Sequence, residues 1–106
     1  MSVFYDHLLP LEEIHQEIIE FDLPTKQHYN LLELVDSTLR NEILNLILFE
    51  LPVEHHEHFL VEFYRTPASS VHLGYLKQFS PFIEDKIHHT AHTTKLKILE
   101  DIRGLK

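Results

Sequence analysis

Apolar residues recur along most of the chain at the three- and four-residue spacing of an amphipathic α-helix, and no stretch alternates with the two-residue period of a half-buried strand. The pattern predicts five helices, over residues 11–21, 25–50, 53–65, 70–79 and 81–103. We therefore expect an all-α fold, a single compact bundle of about five helices with one long central helix. Residues 1–106 are expected to form one domain.

Proline and glycine mark the ends of these helices. Pro10, Pro24, Pro52 and Pro81 each stand just before a segment with helical period. Proline suits the first turn of a helix, because an N–H at that position would have no intrahelical acceptor. Gly104 stands where a C-terminal glycine cap belongs.

The second predicted helix differs from the others because it carries apolar residues on two opposite sides. Its main apolar stripe consists of Leu31, Leu32, Val35, Leu39, Ile43, Leu46 and Phe49. The opposite stripe consists of Leu34, Leu44, Leu48 and Leu51. At a rise of about 1.5 Å per residue this helix spans about 39 Å, more than the width expected of so small a domain. A helix with two apolar faces is either the buried centre of a bundle or a bridge to a second copy. Given its length, either the helix kinks, or part of it projects and pairs with a second copy, and we favour a homodimer whose interface is the opposite stripe.

Composition excludes several classes of protein. The chain is 43% hydrophobic and 25% charged, which is typical of a globular domain. The longest apolar run, 46–49, is too short for a transmembrane helix or a signal-peptide core, so we expect a cytoplasmic protein without membrane contact. The absence of cysteine excludes disulfides and thiol catalysis, and two glycines cannot form a Gly-rich phosphate loop.

Charge is distributed unevenly along the chain. Residues 1–62 hold 13 acidic and 2 basic side chains, residues 63–106 hold 4 acidic and 7 basic ones, and the formal net charge is −8. An acidic half would repel phosphates, so we expect no nucleic-acid partner. The two halves should instead attract each other, within one chain or between two copies.

Histidine is unusually frequent, with 10 residues. Two groups of possible metal ligands each share one polar helix face: His55, His58 and Glu62 on the third helix, and Asp85, His88 and His92 on the fifth. Imidazole and carboxylate groups suit zinc or another divalent ion. We favour a solvated polar face for the first group and adventitious metal binding for the second over a biological metal site. We expect no cofactor apart from such a metal.

The sequence matches no catalytic template. It contains no Gly-x-Ser-x-Gly elbow and no His-Glu-x-x-His motif. A ferritin-like di-iron site needs two Glu-x-x-His pairs on facing helices, and only Glu12-x-x-His15 is present. We therefore expect that the protein is not an enzyme.

The order of the apolar motifs resembles that of a known family. The motifs are 11–14 and 23–24 before the long helix, then 59–63, then 73–77 leading to 82–83. Over about residues 8–90 this order resembles a small all-helical domain of unknown function from candidate-phyla (Patescibacteria) bacteria. The resemblance implies a short helical bundle, and it implies no activity or site residues. We expect a non-enzymatic protein-interaction module that associates with itself, and the alternative is a histidine-based metal-binding or pH-responsive protein.

Overall fold

The structure, a computed structural model, describes residues 3–9, 11–20 and 24–104, without the side chains of 102 and 103. In this part of the chain there are five α-helices, two single turns of 3-10 helix and no strand. The helices are α1 (Leu11–Ile19), α2 (Thr25–Glu50), α3 (His56–Arg65), α4 (Val71–Lys77) and α5 (Ile83–Arg103). The 3-10 turns are Asp6–Leu8 and Val53–His55. The all-α prediction is confirmed, and α2 has the predicted bounds.

The helix ends show smaller differences from the prediction. The predicted end of the first helix, residue 21, lies outside the described residues. The fourth helix ends at Lys77 rather than at residue 79, because the N–H groups of Gln78 and Phe79 bond to carbonyls three residues back and tighten the turn. Gly104 follows α5 and bonds to the carbonyl of Glu100, but no described glycine has the left-handed conformation expected of a glycine cap.

The long axis of the molecule is the antiparallel pair of α2 and α5. Lys86, near the start of α5, bonds to Glu50 at the end of α2 (Nζ to Oε1, 2.7 Å), and Asp101 lies at the opposite end beside Leu31. The molecule measures 45 × 23 × 21 Å, so its own elongated shape accommodates the length of α2. The length of this helix therefore does not require a second copy.

Two apolar clusters lie at different positions along this pair. One cluster joins the start of the chain, the second half of α2, α3, α4 and the first half of α5; its buried residues are Val3, Phe4, Tyr5, Ile43, Ile47, Leu51, Phe59, Phe63, Leu76, Ile83 and Ile87. The other cluster joins α1 to the first half of α2 and the middle of α5; its buried residues are Ile14, Ile18, Val35, Leu39 and Ala91. The helix α2 supplies residues to both clusters.

The buried side of α2 rotates along the helix. Its buried positions from Val35 through Ile47 to Leu51 are four residues apart. At about 100° per residue, four residues advance the side chain about 40° beyond a full turn, so Val35 and Ile47, the first and last buried residues within α2, point about 120° apart. The opposite apolar sides of α2 thus face different clusters of the same chain.

This rotation corrects the assignment of the two stripes. Leu51 is only 4% exposed and lies in the core, while Leu44 and Leu48 are half-buried against the same cluster. The placement of Phe49 on the buried stripe is wrong, because its side chain is 86% exposed. Phe49 follows Ile47 by two residues, or about 200°, so it points away from the side that is buried there.

Ion pairs join the acidic and basic halves of the chain. Lys95 on α5 is buried, and its Nζ contacts carboxylates of Glu13 (2.5 Å) and Glu17 (3.7 Å) on α1. The hydrogen bond and charge of Lys95 lower the pKa of Glu13. Together with the pair between Lys86 and Glu50, these contacts show that the predicted attraction operates within one chain.

Candidate functional site

A groove runs between the first half of α2 and the second half of α5, and its volume is about 520 Å³. Small side chains create it, because Thr38 on α2 and Thr93 and Thr94 on α5 line the space between the two helices. Leu31 and Ile98 supply apolar lining. We call this surface the α2–α5 groove.

Leu34 stands at the α2–α5 groove and is 60% exposed. It is the only one of the four predicted interface leucines that is exposed, since Leu51 is buried and Leu44 and Leu48 are half-buried. A single exposed leucine is normal on a protein surface, but Leu34 adjoins the apolar lining of the groove, and covering the two together would be favourable. The apolar surface on this part of α2 is therefore narrower than the sequence predicts.

Three charged side chains line the same groove. Glu42, Lys97 and Asp101 are all exposed, and among the described residues none of them forms an ion pair within 4 Å. Lys95 and Lys86, which lie on the same helix, do form such pairs. The groove thus offers one cation and two anions that remain available to a partner.

A second cavity, which we call the α3–α4 cleft, lies between α3 and α4 and has a volume of about 470 Å³. Its lining includes His58 and Glu62 from α3 together with His72 and Tyr75 from α4. His72 is 5% exposed, and its Nε2 donates to the carbonyl oxygen of Thr66 (2.7 Å). The imidazole is packed among the rings of Phe4, Phe59 and Phe63, at centroid distances of 5.4, 6.0 and 6.0 Å.

The sequence did not distinguish His72 from the other histidines. The usable signal is its spacing, because His72 and Leu76 are four residues apart and both are buried on α4. A histidine on the apolar side of a short helix needs a hydrogen-bond partner, and the carbonyl of Thr66 supplies one.

The predicted ligand group on the third helix does not converge on one point: His55 lies in the 3-10 turn before α3, whereas His58 lies on α3 and its ring packs against Tyr75 at 5.7 Å. The Nδ1 of His55 bonds to the hydroxyl of Tyr75 (3.0 Å), and its ring packs against Phe79 at 4.6 Å. His58 and Glu62 instead line the α3–α4 cleft.

The predicted group on α5, formed by Asp85, His88 and His92, is exposed. The Nδ1 of His88 donates to the carbonyl oxygen of Leu8 (3.2 Å). Within residues 3–9, 11–20 and 24–104, no three His, Asp or Glu side chains are grouped so that they could hold a metal ion. The structure brings neither predicted group together as a three-ligand site, and metal binding stays a prediction.

A smaller cavity of about 110 Å³ lies beside Tyr5, Asp36 and Arg40. Tyr5 is 1% exposed, and its hydroxyl has no hydrogen-bond partner among the described residues. Burial raises the pKa of Tyr5 to about 12, and the nearby charge of Arg40 opposes that shift.

In comparisons with protein-family models, curated proteins and solved structures, the chain matches none of them. The resemblance to the candidate-phyla domain therefore stays a prediction. In the described part of the chain, no helix combines the length and apolar character that crossing a membrane requires.

Proposed function

We propose that the protein is a non-enzymatic helical interaction module that associates with itself, and that the α2–α5 groove is the contact surface between two copies. The observation that carries the proposal is the exposure of Leu34 beside an apolar groove of about 520 Å³. Association through this surface would bury Leu34 without any rearrangement of the core, because Leu34 already lies outside the core.

A second copy suits the groove in shape and in charge. In a twofold dimer the same surface is used by both partners, so each Leu34 can enter the groove of the other copy. Lys97, which forms no ion pair with the residues that the structure describes, can then meet Glu42 or Asp101 of the other copy. A surface that carries both signs of charge can be complementary to itself.

Light scattering over a range of protein concentrations tests the proposal. We expect the mass to rise from 12.6 kDa for the single chain towards twice that value. Leu34→Glu should give a monomer, because the substitution puts a charge into the apolar contact. Val61→Glu is the matched control, since Val61 is an exposed residue of α3 outside the groove, and it should leave association unchanged. A wild-type protein that stays monomeric at the highest concentration contradicts the proposal.

The charges of the groove provide a separate test. Lys97→Glu should weaken association, because it leaves only negative charge along the groove. If Lys97 faces Glu42 across the dimer, the double variant Lys97→Glu, Glu42→Lys should recover the association of the wild type. A double variant no better than Lys97→Glu would show that these two side chains do not meet.

A metal-binding or pH-responsive protein is the alternative. His88 and His92 are exposed and one turn apart on α5, a spacing at which two imidazoles can chelate one ion. Calorimetric titration with zinc should then give tighter binding to the wild type than to the His88→Ala, His92→Ala variant. Equal titrations would remove this pair from consideration.

A further inference from the structure

The α3–α4 cleft has the size of a small-molecule site and lies outside the α2–α5 groove. Its volume of about 470 Å³ falls within the range of roughly 300–1,000 Å³ that is usual for ligand pockets. It is lined from both helices and from the loop between them, since Glu62 belongs to α3, Thr66 to the loop and Tyr75 to α4. What could occupy it depends on the charge and the hydrogen-bonding groups of this lining.

Negative charge dominates the α3–α4 cleft. Glu62 lines it, whereas no lysine or arginine does so among the described residues. Arg65 approaches Glu62 at 3.5 Å, but its side chain is 73% exposed, and such a surface pair contributes little. A cation that enters the cleft therefore competes only with this weak, exposed pair for the carboxylate of Glu62.

The imidazole of His72 supplies a second acceptor. The carbonyl oxygen of Thr66 can only accept, so the Nε2 of His72 carries the proton of their 2.7 Å bond. In the neutral ring Nδ1 is then the unprotonated nitrogen, which accepts hydrogen bonds. Packing against Phe4 and Phe63 holds the ring in this orientation.

Aromatic rings complete the lining. Phe59 and Tyr75 both line the α3–α4 cleft, but Phe59 is only 1% exposed and is stacked on Phe63, so Tyr75 offers the more accessible ring. The ring of Tyr75 is fixed by the hydrogen bond between its hydroxyl and His55 (3.0 Å) and by contact with Phe79 at 5.5 Å. Aromatic faces attract cations, and the attraction grows when water is excluded.

From the carboxylate, the imidazole acceptor and the aromatic lining, we infer that the α3–α4 cleft binds a small organic ammonium ion and that Glu62 is its counter-ion. The N–H groups of an ammonium ion match the acceptors of Glu62 and His72, and its hydrocarbon part matches Phe59 and Tyr75. A metal ion fits less well, because the described residues supply no group of three ligands.

Three probes of similar shape and different charge test this inference: benzylamine as the ammonium ion, benzyl alcohol as the neutral molecule and benzoate as the anion. Each is titrated into the full chain at pH 8 by calorimetry, and ring signals of His58 and Tyr75 are followed by NMR. We expect saturable binding of benzylamine, at least tenfold weaker binding of the alcohol and no binding of benzoate. The NMR shifts should be concentrated at the cleft.

Variants separate the specific site from general attraction to an acidic protein. Glu62→Gln should weaken benzylamine binding at least tenfold. Glu57→Gln removes the same charge from an exposed position on the same helix outside the cleft and should leave binding unchanged. Circular dichroism checks that both variants keep their helices. Equal binding of all three probes, no saturation by benzylamine or equal effects of the two variants would overturn the inference.

Discussion

Replacing Tyr5 by phenylalanine should stabilise the protein, because the substitution removes a hydroxyl that is buried without a partner among the described residues. The ring of Tyr5 is buried and packs edge-on against Phe4 at 5.1 Å, and phenylalanine retains this contact. The hydroxyl has no hydrogen-bond partner among the described residues. Burying an unsatisfied hydroxyl costs about 1–3 kcal/mol, so we expect Tyr5→Phe to raise the free energy of unfolding by about 1–2 kcal/mol.

Urea denaturation measures this difference. The midpoint should rise while the slope stays constant, because both proteins expose the same surface on unfolding. Tyr64→Phe is the control, since the side chain of Tyr64 is exposed, and its free energy of unfolding should change by less than about 0.5 kcal/mol. A Tyr5→Phe variant less stable than the wild type by 1 kcal/mol or more would show that the hydroxyl is hydrogen-bonded in the native protein, and the reasoning would be wrong.

The free energy of unfolding at alkaline pH provides a second test of the environment of this hydroxyl. Burial raises the pKa of Tyr5 from 10.0 to about 12, so ionisation is easier in the unfolded chain than in the folded one. The pH-dependent contribution of Tyr5 to the free energy of unfolding is fully present below pH 10 and is lost as the pH rises towards 12. The wild type should therefore lose roughly 2–3 kcal/mol more than Tyr5→Phe over this interval, at 1.36 kcal/mol per unit. Equal losses in the two proteins would mean that Tyr5 ionises equally well in the folded protein.

Two further predictions test the packing and the ion pairs. Leu51→Ala should lower the free energy of unfolding by about 2–4 kcal/mol in urea, whereas Phe49→Ala should change it by less than about 0.5 kcal/mol, because only Leu51 is buried; similar losses would contradict the corrected stripes. Lys95 lowers the pKa of Glu13 below 4.5, so the stabilising contact is present above this pH and is lost as the pH falls. Urea midpoints between pH 6 and pH 3 should therefore fall more steeply for the wild type than for Glu13→Gln, and parallel curves would show that this pair does not stabilise the fold.

The helices could be predicted from the sequence because each one is long enough to show its period. The predicted range of α2 was correct. The antiparallel arrangement of α2 and α5 could not be predicted from the sequence, because it depends on contacts such as the one between Glu50 and Lys86, which are 36 positions apart. The two stripes of α2 were also real features of the sequence. A helical wheel drawn with a fixed angle per residue suggests that each stripe faces a different partner. In α2 the buried positions are four residues apart, so the buried side rotates gradually around the helix and both stripes contact the same chain.

The candidate sites were harder to predict, because ligands were sought on single helices. His55 and His58 were expected on one helix face, but His55 belongs to the 3-10 turn before α3, where it bonds to Tyr75. The groups that line a common cavity come from two helices. Glu62 shares the lining of the cleft with His72, a residue ten positions away that packs against Phe4 at the start of the chain. Such a convergence has no signature in local spacing.

The α2–α5 groove is the feature of the structure that supports self-association. The opposite stripe no longer requires a dimer, because Leu44, Leu48 and Leu51 find their contacts inside the chain. The surface that stays uncovered is the segment where threonines lie between α2 and α5, because their small side chains leave the space beside Leu34 unfilled. On the proposal that two copies associate here, this open groove is the surface that would be covered in the dimer.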